Sequence, residues 1–415
     1  MIMKYLRVLL PSMHFRGYQL VAVNNEIVLS FSVLIFLGMG LSQQSAFGYL
    51  ALINIINFLS MFAFEALSNT REGLRSSRLS KWCLIGISVI AWVMVSLFLL
   101  YEDIATGALW LSIAVGLIVS LRDLVLSGCM VSIGSLASRE KLSASKMVAI
   151  LFAISAIVSA IGMVVFGFGV KWNTELTVFV AVSLCSLGGI FCVVKFNAKE
   201  SSGSRIEFSR GSKLVIGLNT LQSATSFVGR RVLVPFIVIQ LSVLFGLESE
   251  SYTLLGIFLA VVTLFGFVRY KNRGMKTSEM VTRTYYVCNG LWFVVAALTY
   301  AYINQWLGEL VFLMIVGLLL CIDVAGRFFG AMLFSLVHDA AKADSVGDMG
   351  ARVNTYMNKL LIDKAWVQAL MFGVLYVGVE YMSIYAIFMV SVVVASLLAS
   401  YIIRSMRAYC VQKDI

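Results

Sequence analysis

Charge is scarce in this chain of 415 residues: Asp, Glu, Lys and Arg make up 13% of it, roughly half the share of an ordinary soluble domain. Histidine is scarcer still, with only His14 and His338, which leaves little material for a histidine-based metal site. The seven cysteines, Cys83, Cys129, Cys185, Cys192, Cys288, Cys321 and Cys410, form no CxxC or Cys/His spacing. Six of them lie inside apolar runs, where a free thiol serves as a small apolar side chain. Catalytic signatures are missing as well: no GxSxG, no HExxH, no Walker loop and no paired catalytic carboxylates. These absences exclude any recognisable enzyme constellation and predict a protein without metal or cofactor.

What the chain has in abundance is apolar surface. Sixty per cent of the residues are hydrophobic and the mean hydropathy is +0.94. A soluble fold of this length could not bury that much, so lipid is the expected solvent. Runs of spanning length fall near Val21–Leu41, Tyr49–Leu67, Trp82–Tyr101, Ala108–Ile133, Met147–Val170 and Leu176–Val194. After a polar stretch they resume near Ile216–Phe245, Tyr252–Val268, Tyr285–Ile303, Leu310–Val337, Leu360–Val379 and Met382–Ile403. The runs are too long for strands and do not alternate. The expected fold class is therefore an all-α membrane protein of about twelve transmembrane helices.

The net charge of +11 would point to nucleic acid in a soluble protein. Here its distribution points to a membrane instead, and no nucleic-acid partner is expected. Lys and Arg recur in every other loop: Arg71, Arg75, Arg78 and Lys81 after the second span, Arg139, Lys141 and Lys146 after the fourth, and a group from Lys195 to Lys213 after the sixth. The alternate loops are neutral or acidic, as at Glu102-Asp103 and Glu248/Glu250. By the positive-inside rule both termini are cytoplasmic. A multi-pass protein of the plasma (inner) membrane is expected, with no removable signal peptide, because the N-terminus lacks a short apolar core and cleavage site.

The spacing also repeats. The second and eighth spans begin at Tyr49 and Tyr252 (252 − 49 = 203), the third and ninth at Trp82 and Tyr285 (285 − 82 = 203). Two halves of the same topology form a parallel repeat: residues 1–196 as one six-helix bundle, 197–213 as a cytoplasmic linker and 214–415 as the second bundle. Ionisable groups inside spans are costly and mark functional interiors. The candidates are Asn25 and Glu26 in the first span, Arg122 and Asp123 in the fourth, Arg230 and Arg231 in the seventh, and Asp323 and Arg327 in the tenth. The last two, four apart on one helical face, also fit a structural ion pair. Adjacent Arg230 and Arg231 cannot both face one neighbour, so at least one is expected to line an aqueous cavity and to hold an anionic group. Phe31, Phe36, Phe227, Phe236, Phe328 and Phe329 lie on the same spans and suit an amphipathic organic molecule; each also fits plain helix packing or a lipid-facing position.

The loop after the second span, Ala66-Leu67-Ser68-Asn69-Thr70-Arg71-Glu72-Gly73-Leu74-Arg75, resembles the major facilitator superfamily signature G-x-x-x-D-R-x-G-R-R/K. Arg71, Gly73 and Arg75 match it; Ala66 and Thr70 replace its first glycine and its aspartate. The resemblance implies two six-helix bundles around a cavity lined by the first, fourth, seventh and tenth spans, with Arg71, Gly73 and Arg75 in a cytoplasmic gating loop. It implies a monomeric secondary transporter of small solutes, with protons as the candidate coupling ion and Glu26 as the candidate carboxylate. The expected substrate is an amphipathic or anionic organic solute, with export as the favoured direction. Two alternatives stand beside it: a flippase of the multidrug/oligosaccharidyl-lipid/polysaccharide superfamily, and an assembly subunit without transport.

Overall fold

The computed structural model describes residues 2–70, 77–142, 144–193, 210–246, 253–258, 260–261, 277–319, 321–322 and 349–412. Among these there is no strand, and ten helices are long and apolar enough to cross a membrane. A short helix α1 (Ile2–Leu9) precedes α2 (Met13–Gly38), α3 (Gln43–Thr70), α4 (Ser77–Phe98), α5 (Ile104–Arg139), α6 (Ala144–Trp172) and α7 (Thr174–Val193). After residues outside the described set come α8 (Arg210–Phe245), α9 (Thr277–Ile303), the short apolar α10 (Leu310–Leu319), α11 (Met349–Gly378) and α12 (Ile384–Gln412). The eighth and tenth expected spans are described only in part, so twelve spans and an even division remain expectations. The gating loop with Arg71, Gly73 and Arg75 lies outside the described residues, as do Asp323, Arg327, Phe328 and Phe329.

Several helices run past the apolar stretch that defines them. The first span was expected from Val21, yet α2 begins at Met13 and takes in Arg16 and Gln19. Leaving an unpaired backbone group near lipid costs more than carrying a polar side chain into the headgroup layer, so the helix continues. At 36 residues, α5 is about 54 Å long, well beyond a hydrocarbon layer of about 30 Å. Its last turns form a basic end of the molecule with Lys4, Arg7, Lys81, Lys213 and Arg404. Glu102, Asp103, Glu175, Glu309 and Glu380 mark the opposite, acidic end. There Tyr101 donates to a Glu175 oxygen at 3.1 Å, tying α4 to α7. Burial first, then that bond, raises the Tyr101 hydroxyl above its ordinary range.

Proline sets two local features. Pro11 separates α1 from α2, since a residue before proline avoids helical geometry. Pro235 lies inside α8, where it cannot donate to the carbonyl four residues back, that of Arg231.

The helix pairing follows small residues. Gly17 and Gly188 let α2 and α7 close on each other, and Gly116 lets α5 reach Ile53 and Ile56 of α3. Among the described helices the most extensive pairing is that of α3 with α11. It is antiparallel and continuous. At the acidic end Gln44 donates to Glu380 Oε1 at 2.9 Å, and Gly48 abuts Tyr376. Further along, the Phe58 and Trp366 rings lie 5.3 Å apart. At the basic end Glu65 lies near Lys359 and Asp363, themselves joined at 2.6 Å. From Gln44 to Glu65 the seam is about 32 Å long, the full depth of a hydrocarbon layer. Two apolar cores flank its two ends, and each draws residues from both sides of the seam.

Candidate functional site

Two charged groups stand out among the buried polar side chains of the described residues. The first joins α5 and α3. Asp123 is fully buried, and Arg122 folds back onto it, with Nε 2.8 Å and Nη2 2.6 Å from Oδ1. The other carboxylate oxygen accepts a hydrogen bond from Asn57 Nδ2 at 3.2 Å. A buried carboxylate is tolerable in lipid only with such partners. Arg122 is the more open member, 15% exposed against 1% for Asp123. Both were singled out in the sequence as ionisable residues inside a span. The structure shows that they pair with each other and recruit Asn57, a polar residue of the second span, from the neighbouring helix α3.

The second group is on α8. A Cβ on Gly229 would press on Trp292 and Phe388 at 2.8 Å, so that face of α8 is packed against α9 and α12. At 100° per residue, Arg230 and Arg231 are turned about one quarter and one half of a circle away. Arg231 is buried, 6% exposed, and its guanidinium carbon lies 3.8 Å from the centre of the Phe227 ring. Its Nη1 reaches the Phe227 carbonyl at 3.4 Å. Cation–π contact of this kind strengthens when water is excluded. Arg230 is half-buried. The two arginines thus differ in burial, Arg231 being the more enclosed.

Phe227 continues into a row of rings. It meets Phe372 of α11 edge-on at 6.0 Å, and Phe372 stacks on Phe47 of α3 at 6.2 Å with planes 19° apart. The other phenylalanines singled out in the sequence are engaged in packing. Phe31 lies against Phe166 at 4.9 Å, Phe36 against Tyr49 at 5.4 Å, and Phe236 against Tyr385 and Tyr302 at 5.7 and 6.3 Å. Phe227 also carries an arginine over its ring.

Glu26 lies in the middle of α2, and its side chain is outside the described residues. Its neighbour Asn25 is fully buried, with both carboxamide atoms lacking a hydrogen-bond partner. Asn54 Oδ1 and Gln368 Nε2 are likewise buried and unpartnered. Sequence reading missed Phe47, Phe372 and Gln368. Gln368 was the available signal: a lone carboxamide in an apolar run. Among the described residues no cluster of three or more His, Cys, Asp or Glu side chains could hold a metal ion.

No protein-family model and no curated protein matches the sequence. The fold does match solved structures, over nearly the whole chain. A POT family transporter in complex with 5-aminolevulinic acid aligns with a TM-score of 0.60 at 12% identity, covering 97% of this chain and 96% of that one. The human organic anion transporter MFSD10 (TETRAN) aligns at 0.59 and 13% identity, covering 96% and 99%. A bacterial homologue of the iron transporter ferroportin aligns in its outward-facing state at 0.55 and 16% identity, covering 95% and 98%. Its inward-facing state aligns at 0.56 and 12% identity, covering 96% and 99%. The chain thus has the major facilitator fold, in a form widely diverged in sequence. Between the two folds weighed from the sequence, the likeness favours this one over the flippase fold.

Proposed function

We propose that the chain is a secondary active transporter that moves a small organic solute with an anionic group by alternating access, in the direction of export. The observation that carries this reading is Arg231. A guanidinium 6% exposed within a spanning helix is expensive to keep. This one stands on the row of rings that joins α8 to α11 and α3. A guanidinium held away from bulk water presents planar, directed donors that recognise carboxylate or phosphate. The fold supports the reading by analogy, since an organic anion transporter shares it. With no nucleotide-binding loop in the sequence, an ion gradient is the energy source, and Glu26 is assigned as the proton-coupling carboxylate. The basic end gathers anions from its side of the membrane, which favours loading there.

Thermal shift over a panel of anionic, neutral and cationic metabolites tests the charge assignment. Anions are expected to stabilise the protein, with the shift lost in Arg231→Ala. Stabilisation by cations alone, surviving that substitution, would overturn it. Cysteine labelling at positions 230 and 231 from both membrane faces separates a carrier from an assembly subunit. A carrier gives access from either face in turn; a subunit gives access from one or neither.

A further inference from the structure

We infer that α1 is a docking surface for anionic phospholipid of the adjoining leaflet, with Lys4 and Arg7 gripping the headgroup phosphate. The inference stands apart from the substrate assignment and rests only on the chain crossing a membrane. Three observations carry it. The first is the division of α1 into faces. Tyr5 and Leu9, four apart, are 7% and 1% exposed. They enter the core that Met147, Val148 and Leu151 of α6 also enter, and α1 packs on α6. Lys4 and Arg7 are both exposed. At about 100° per residue, their mean direction is about 150° from that of Tyr5 and Leu9. Three apart on the helix, the two cations stand about 5–6 Å from each other at Cβ, close enough to share one phosphate.

The second observation is where α1 sits. Ser12 is extended, with φ −68° and ψ 121°, so α1 breaks from α2 instead of prolonging it. The break is fixed by two bonds. The Ser12 N–H donates to the Leu9 carbonyl at 2.9 Å, and Arg16 Nε donates to the Leu10 carbonyl at 2.7 Å. The helix is about 12 Å long. Packed on α6, and sharing a core with the beginning of that helix, it lies level with the end of the spans, where headgroups are. Leu10, at its end, is 47% exposed. At the headgroup boundary such a side chain enters lipid in place of water.

The third is charge of one sign. No Asp or Glu precedes Glu26 in the chain, so Lys4, Arg7 and Arg16 have no acid of their own segment to offset them. In the turn before α6, Glu140 is already paired with Arg139 at 3.0 Å. A cationic face beside an apolar one, held at headgroup depth, complements the phosphate layer that surrounds it. An acidic protein would have to displace that layer to reach the same face.

The test uses the full chain in nanodiscs of phosphatidylcholine, with or without phosphatidylglycerol. Hydrogen exchange of the α1 amides is read by mass spectrometry. Phosphatidylglycerol is expected to slow that exchange about twentyfold, about fivefold for each of the two cations. Lys4→Gln/Arg7→Gln should abolish the difference between the lipids. Lys213→Gln/Arg404→Gln removes the same charge from exposed positions elsewhere at the basic end and should keep it. All four side chains are exposed, so both variants are expected to fold, and monodisperse elution checks this. Equal exchange in the two lipids overturns the proposal. So does protection that survives Lys4→Gln/Arg7→Gln, or that is lost equally in Lys213→Gln/Arg404→Gln, since a diffuse basic end then accounts for it. Equal protection by inorganic phosphate in phosphatidylcholine discs makes the partner a soluble anion and overturns the lipid assignment.

Discussion

Replacing Asp123 by Leu is the most demanding test of the buried polar cluster. The carboxylate is fully buried, takes two short bonds from Arg122 and one from Asn57. Leucine keeps roughly the volume and removes all three. Breaking a buried ion pair from one side costs about 3–5 kcal/mol, mostly because the surviving charge stays in a poor medium. Here the low end, about 3 kcal/mol, is expected, because Arg122 is 15% exposed and keeps further interactions. The double variant Arg122→Met/Asp123→Leu removes both charges and should lie within about 1 kcal/mol of the parent. The coupling between the two positions is then at least about 2 kcal/mol. Reversible unfolding in mixed micelles, followed by circular dichroism, measures all three proteins. The reasoning is refuted if Asp123→Leu unfolds with the parent, or if the double variant is as unstable as the single one.

Gly256→Ala should cost about 1–3 kcal/mol by overpacking. Its Cβ would press on the Met163 backbone, with the carbonyl carbon at 2.9 Å; an unchanged midpoint in the same unfolding assay would contradict that contact. Glu26→Gln should abolish coupling to an imposed proton gradient in proteoliposomes while the protein still elutes as a folded species. Transport unchanged at every pH would remove Glu26 from the mechanism. Reporter fusions after Lys81, Lys199 and Lys276 should read cytoplasmic and fusions at Asp103 and Glu250 external; an external signal at the central linker would sink both the topology and the repeat.

Much of the architecture was legible because lipid leaves a chain few choices. Apolar runs such as Trp82–Tyr101 and Tyr285–Ile303 became helices close to where the sequence put them, since no other backbone arrangement satisfies itself in hydrocarbon. Helix ends were less legible. Met13 to Leu20 contains Arg16 and Gln19, and hydropathy alone cannot see that backbone pairing carries the helix through them. Charged candidates were visible as residue types, but their partners were not: Asp123 announces a need, while Asn57 answers it from 66 residues away. The ring row was the hardest part. Phe47, Phe227 and Phe372 look like any other phenylalanines in apolar runs, and only the crossing of α3, α8 and α11 brings them together. Pro235, four residues after Arg231, was a local signal that this stretch of α8 is not an ordinary span.

The unbroken α3–α11 seam has a consequence for how substitutions along it should sort. If the molecule opens at one end while the other stays shut, each contact in the seam acts as a lever whose arm is its distance from the pivot. Weakening Gln44–Glu380 tips the balance toward opening at the acidic end, and weakening Lys359–Asp363 beside Glu65 tips it toward the basic end. Phe58–Trp366 lies between these two extremes, nearer the basic end, and should bias the balance less than either. A series of conservative changes stepping along α3 should therefore shift the resting population in one direction, fade through zero and reverse. The position of the zero crossing locates the fulcrum to within a helical turn, without any substrate being known.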